Sequence, residues 1–84
     1  MGTLEVKRDF EMEINGTKGS YSGTVNKDQQ PHGIGIFGAN GGSIYEGQFK
    51  NGRRHGFIRM FFPRGELYHR QYEEGAQVSN KRMN

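Results

Sequence analysis

The chain has 84 residues, a formal net charge of +3 and no cysteine, which excludes disulfides and thiolate metal sites. Hydrophobic residues make up only 31% of the chain, and a domain of this size buries only about 60% of its unfolded surface, which predicts a thin core. The six Phe, four Tyr and 14 Gly argue against disorder and favour a layered sheet.

The first predicted element is a strand at residues 10–14, inside an N-terminal half unit that covers residues 1–20. Phe10, Met12 and Ile14 alternate with glutamates, which is the period of a half-buried strand. Glycines at residues 16 and 19 then favour a turn. We expect this half unit to cap one end of a sheet.

From residue 21 onward the chain repeats itself about every 23 residues. The pair His32-Gly33 recurs as His55-Gly56, and tyrosines recur at the start of each unit. Internal repetition of this kind predicts stacked supersecondary units. The predicted single domain, residues 1–75, comprises the half unit, repeat 1 (21–44), repeat 2 (45–67) and a partial repeat 3 (68–75), and a polar tail follows at 76–84.

Each repeat reads as a β-hairpin. In repeat 2, Tyr45, Gly47 and Phe49 share one strand face and polar residues occupy the other. Residues 51–52 favour a turn, which we expect to open a seven-residue loop that runs through His55. The next strand, residues 56–62, ends at Pro63.

These elements predict an all-β fold, a single twisted antiparallel sheet of five or six strands with almost no helix. Six recurring glycines are expected to make turns or to let neighbouring strands approach: Gly23, Gly33, Gly47, Gly52, Gly56 and Gly65. Arg70 stands where the earlier units have glycine, and its long side chain predicts the end of the array.

The segment from Tyr45 to Gly56 resembles the MORN repeat (membrane occupation and recognition nexus), with its Tyr-x-Gly-x-aromatic start and its later glycines. The resemblance is looser in repeat 1 and weakest after Tyr68, and Ile58 and Arg70 replace glycines of the pattern. It implies a short β-solenoid of about 2.5 repeats. It also implies a scaffold that recognises proteins, often dimerises and associates with phospholipid membranes.

Other motifs do not predict a reaction centre. The G-x-G-x-x-G pattern at residues 33–38 lacks a following helix, so we predict no cofactor. His32 and His55 lack ligand partners at metal-binding spacing, and loop hydrogen bonding is the expected role for both. No nucleophile, base and orienting residue come together in the sequence, so we predict that the chain is not an enzyme.

Two sets of residues are candidates for binding. One set of rings either forms the core or lines a groove for a protein partner: Tyr21, Tyr45, Phe49, Phe57, Phe61, Tyr68 and Tyr72. The other set is either a solvated surface or a patch that binds an anionic bilayer: Lys50, Arg53, Arg54, Arg59, Arg64 and Arg70.

The function predicted from these observations is a non-catalytic scaffold that binds a protein or a second copy of itself through the ring- and glycine-lined face. The alternatives are a peripheral module for anionic phospholipid and a regulatory segment of a larger lipid kinase or methyltransferase. Nucleic acid is a poor candidate because no recognition element is present. The absence of a long apolar run or secretory signal predicts an intracellular, cytoplasmic protein, with a membrane or the cytoskeleton as possible sites of association.

Overall fold

The structure is a computed structural model that describes residues 4–78, and these residues form strands and turns without helix. The strands are β1 (Glu5–Ile14), β2 (Thr17–Val25), β3 (Pro31–Ala39), β4 (Ile44–Lys50), β5 (Arg53–Phe61), β6 (Leu67–Glu73) and β7 (Ala76–Gln77). They make one antiparallel sheet in which the spatial order is the chain order. The predicted all-β fold and single antiparallel sheet are therefore confirmed.

The hairpin connections differ from the prediction in two places. The expected seven-residue loop of repeat 2 is a two-residue turn, Asn51-Gly52, with φ of 50° and 86°, and β5 begins directly after it at Arg53. Asn-Gly in this conformation is a tight hairpin turn, so the polar residues 53–55 continue the strand. The prediction of a long loop there was wrong.

Residues 4–78 form seven strands, and not the five or six predicted, because part of the predicted polar tail joins the sheet. Ala76 and Gln77 pair with the end of β6, and the backbone N–H of Val78 donates to the carbonyl of Gln71 at 2.7 Å. The rest of the predicted tail, residues 79–84, and the first three residues lie outside the described part.

One face of the sheet carries the hydrophobic core, and we call it the inner face. Its buried side chains come from every strand from β1 to β6: Ile14, Tyr21, Val25, Phe37, Phe49, Ile58, Met60 and Tyr72. Tyr21, Val25 and Phe37 are completely inaccessible to solvent. A single sheet buries these residues only if it coils over its own face.

The contact of two distant turns shows how far the sheet coils. Asn15, in the β1–β2 turn, donates from its side-chain amide to the carbonyl of Gly75, in the β6–β7 turn, at 3.5 Å. These turns belong to the first and last hairpins and lie at opposite ends of the strands. Diagonally opposite corners of the sheet therefore meet, and the core lies between them.

Glycines on the inner face leave room for aromatic rings. A Cβ at Gly35 of β3 would collide with the ring of Tyr21 from β2. That ring lies over Gly35 and meets Phe49 of β4 edge-on, with centroids 5.3 Å apart. Each ring thus packs across a neighbouring strand, which is how so few apolar residues make a continuous core.

Candidate functional site

The other face of the sheet, which we call the outer face, exposes large apolar side chains. Ile34 and Phe57 are 63% and 68% exposed. Around them lie four further apolar residues that are exposed or half-buried: Ile36, Ile44, Phe61 and Leu67. Contiguous exposed apolar residues are a common mark of an interaction surface.

The strand register arranges these residues in rows. Ile44, Phe61 and Leu67 lie side by side on β4, β5 and β6. The next row on the same face carries charge, because Glu46 lies opposite Arg59. Their carboxylate and guanidinium are 3.9 Å apart and about half exposed.

The seven predicted groove rings do not share one surface. Three of them, Tyr21, Phe49 and Tyr72, are buried in the core. Tyr45 and Tyr68 are also on the inner face, since both pair with Met60 of β5. The ring of Tyr45 stacks on the ring of Phe37, with centroids 6.2 Å apart. The ring of Tyr68 meets the ring of Phe62 edge-on, with centroids 5.4 Å apart. The remaining two rings, Phe57 and Phe61, lie on the outer face.

The six predicted basic residues are also divided among several surfaces. Lys50 and Arg53 flank the β4–β5 turn, and Arg64 lies in the β5–β6 connection at the other end of the strands. Arg59 is on the outer face, whereas Arg70 is on the inner face, opposite Ile58. They do not form one continuous patch.

Arg54, the sixth basic residue, is held between two rings. Its guanidinium carbon lies 4.9 Å from the ring centroid of Tyr45 and 4.7 Å from that of Tyr72. Its Nε is buried and has no hydrogen-bond partner within residues 4–78. The two cation–π contacts therefore hold this side chain against the rings of the inner face.

The six predicted glycines all adopt positive φ. Gly52 and Gly65 lie in turns. The others lie in strands at close approaches, where a Cβ would meet a neighbouring strand or side chain: Gly23, Gly33, Gly47 and Gly56.

His32 and His55 each accept a hydrogen bond from the backbone of a turn. The Nδ1 of His32 accepts from the N–H of Asn51 at 3.1 Å, and the Nδ1 of His55 accepts from the N–H of Glu74 at 3.2 Å. Asn51 and Glu74 have positive φ and are 23 residues apart, as are the two histidines. Both histidines thus bond to a turn, as predicted, but they lie in strands β3 and β5 and not in the loops where the sequence placed them.

Both histidines also line a shallow depression of about 340 Å³ that is open to solvent. Gln48 and Lys50 supply its other polar side chains, and Ile34 and Phe49 supply its apolar wall. We call it the histidine depression. It was not anticipated from the sequence, because it depends on β3, β4 and β5 being adjacent.

The phenol of Tyr21 is a titratable group that lies in the core, completely inaccessible to solvent. Its burial in the core raises the pKa of its phenol to about 12. The same hydroxyl donates to the carbonyl of Thr24 at 2.8 Å. The group is therefore a structural hydrogen-bond donor.

Residues 4–78 contain no group of three or more His, Asp or Glu side chains placed to hold a metal ion. The same residues contain no helix long and apolar enough to cross a membrane.

Four outer-face residues were not among the candidate contact residues predicted from the sequence: Ile34, Ile36, Ile44 and Leu67. A signal for two of them was present, because Ile34 and Ile36 alternate with Gly33, Gly35 and Phe37 and so belong to the opposite face.

Comparison of the chain with protein-family models, with curated proteins and with solved structures finds no match.

Proposed function

We propose that this protein is a non-catalytic interaction module of the MORN type that pairs with a second copy of itself through its outer face. The observation that carries the proposal is a set of six large apolar side chains on that face, five exposed and Phe61 half-buried, next to Glu46 and Arg59. The contact surface is thus opposite the ring-lined face expected from the sequence.

The MORN part of the proposal rests on the sequence pattern and on hydrogen bonds that recur with it. Gly52 donates to the carbonyl of Pro31 at 2.9 Å, and 23 residues later Gly75 donates to that of Arg54 at 2.9 Å. The histidine bonds described above recur at the same interval. Successive units therefore use the same side-chain and backbone contacts, as expected of a repeat array.

Self-pairing is supported by the arrangement of charge on β4 and β5. Consider two copies stacked by their outer faces, with a two-fold axis between them that runs parallel to β4 and β5 and midway between these strands. Each β4 residue of one copy then lies against a β5 residue of the other copy, namely the one that is its pairing partner within the sheet. Glu46 of one copy then faces Arg59 of the other, and Ile44 faces Phe61. This surface is self-complementary, which an isologous dimer requires.

Light scattering on a sizing column, over a range of protein concentrations, tests this proposal. We expect a dimer whose dissociation constant rises at least tenfold in Glu46→Arg, because like charges then face each other across the axis. The exchange Glu46→Arg with Arg59→Glu restores opposite charges and should restore the dimer. Asp28→Arg, in the exposed β2–β3 connection, makes the same change of net charge and should have no effect.

Two results would contradict self-pairing through the outer face. The first is a monomer at millimolar concentration. The second is a dimer that withstands both Glu46→Arg and Phe57→Ser, since Phe57 is the most exposed of the outer-face apolar residues.

Anionic phospholipid binding has less support. The basic residues proposed for it lie at both ends of the strands and on both faces, and Arg54 is held between two rings. Among the other five, Lys50 and Arg53 lie close together, beside one turn.

A further inference from the structure

The histidine depression has hydrogen-bond donors and no acidic side chain on its wall. Its polar residues come from β3, β4 and β5, which the sheet places side by side. The hydrogen bonds that these residues already make inside the protein determine which of their atoms remain available to a ligand.

The tautomer of each histidine follows from its hydrogen bond. The Nδ1 of His32 and that of His55 accept backbone N–H bonds, so the hydrogen of each neutral ring lies on Nε2. Within residues 4–78 neither Nε2 has a hydrogen-bond partner. Both rings therefore offer an N–H donor.

Gln48 is fixed in the same way. Its Oε1 accepts a hydrogen bond from the backbone N–H of Phe57 at 3.1 Å. A Cβ at Gly56 would collide with this carboxamide, so the glycine leaves it room. Because the oxygen of Gln48 is used, its NH₂ group supplies the remaining donors.

Lys50 adds a positive charge. Its ammonium is 3.9 Å from a carboxylate oxygen of Glu74, and both side chains are about half exposed. An ion pair that long and exposed is weak, so the ammonium is available to an anion.

We propose that the histidine depression binds a phosphate group, either as inorganic phosphate or as a phosphate monoester. Two imidazole N–H groups, one carboxamide and one ammonium provide donors for a tetrahedral oxyanion. Ile34 and Phe49 form the apolar wall beside these donors. The depression shares Ile34 with the outer face, but its donors on His32, Gln48, Lys50 and His55 are not among the residues proposed for self-pairing.

The test is a titration of the full chain with inorganic phosphate at low ionic strength, in which NMR signals of the imidazole rings report binding. We expect the signals of His32 and His55 to shift together with one dissociation constant. Gln48→Glu keeps the oxygen that Phe57 requires but replaces the NH₂ donors with negative charge, so it should raise that constant at least tenfold. Gln77→Glu makes the same charge change on exposed β7 and should change it less than twofold.

Two outcomes would overturn the proposal: shifts that do not saturate, or equal weakening by Gln48→Glu and Gln77→Glu, which would mean general charge attraction. Circular dichroism of both variants checks that the sheet is intact.

A second arm identifies where the phosphate comes from. Vesicles that carry phosphatidylinositol monophosphate are compared with phosphatidylserine vesicles of equal surface charge. Pelleting with the first kind only, lost in Gln48→Glu, supports a lipid headgroup as the ligand. Saturable binding of free phosphate without pelleting supports a soluble phosphate.

Discussion

Tyr21 and Gly35 form a unit in which one residue supplies a ring and the other supplies the space for it. The ring is completely buried, and it reaches Phe49 by passing over the glycine. The sequence predicted close approach at Gly23, Gly33, Gly47 and Gly56, with rings beside them; Gly35 was not among the predicted glycines. Which ring covers which glycine was not predictable, because the ring crosses to the adjacent strand.

A Cβ added at Gly35 is expected to destabilise the fold. We expect Gly35→Ala to lower the free energy of unfolding by about 1–3 kcal/mol, because the Tyr21 ring must move in a packed core. Chemical denaturation measures the change. Gly38→Ala is the matched control in the same strand, since a Cβ there meets nothing within 4 Å, and it should be neutral or slightly stabilising.

An equal loss of stability in Gly35→Ala and Gly38→Ala would mean that backbone flexibility, and not the ring contact, explains the glycine at position 35.

Three of the connections between neighbouring strands are two-residue turns of the same kind. Asn15-Gly16, Asn51-Gly52 and Glu74-Gly75 all have positive φ at both positions. Asn-Gly favours this turn strongly, whereas glutamate at the first position is unfavourable. The third turn is therefore the weakest in sequence terms, and it joins the shortest strand to the sheet.

Replacing Glu74 by asparagine should strengthen that turn. We expect Glu74→Asn to raise the free energy of unfolding by about 0.5–1 kcal/mol, since Asn adopts positive φ at lower cost. The weak ion pair with Lys50 is lost, which costs little at this exposure. Glu73→Asn, one residue earlier in β6, is the control and should give no gain because Asn is disfavoured in strands.

Thermal denaturation of the two variants side by side measures the difference. A Glu74→Asn protein no more stable than Glu73→Asn would show that the conformation of this turn does not limit stability.

At the level of elements, the alternation of apolar and polar residues was enough to predict residues 10–14 of β1, the strands β2, β4 and β6, and their antiparallel order. It did not predict that β1 begins at Glu5. The residues after Asn51-Gly52 were misread because their side chains are polar and charged. The turn type and the backbone ladder determine the structure there. β7 has no apolar pattern, and its pairing follows from the turn before it. Periodicity also separates the two faces of a strand, but it does not tell which face the coiling of the sheet will cover.

For the whole molecule, the core depends on the ends of the sheet as much as on its middle. Ile14 lies at the end of β1 and is 2% exposed, although its strand is at one edge of the sheet. Ile14 is buried at this edge because the β1–β2 turn, at Asn15, meets the β6–β7 turn, at Gly75. The sequence alone did not predict that contact, which joins residues 60 positions apart.

Truncation of this edge residue should therefore cost as much as truncation in a central strand. We expect Ile14→Ala to lower the free energy of unfolding by about 2–5 kcal/mol, a large share of the total for a domain of this size. Val6→Ala, in the same strand but 67% exposed, should change it by less than about 0.5 kcal/mol. Urea denaturation of both variants makes the comparison.

Similar small losses in the two variants would mean that the corner of the sheet is open in solution.

The contact between Asn15 and Gly75 depends on how many hairpins the sheet has. Inserting one more hairpin would add two strands at about 4.8 Å each and carry Gly75 roughly 10 Å away from Asn15. Removing one would draw the turns past each other and leave Ile14 uncovered. Although the units resemble one another, duplication or deletion of one unit would therefore break the contact between the two ends of the sheet. Another contact would then be needed to keep Ile14 buried.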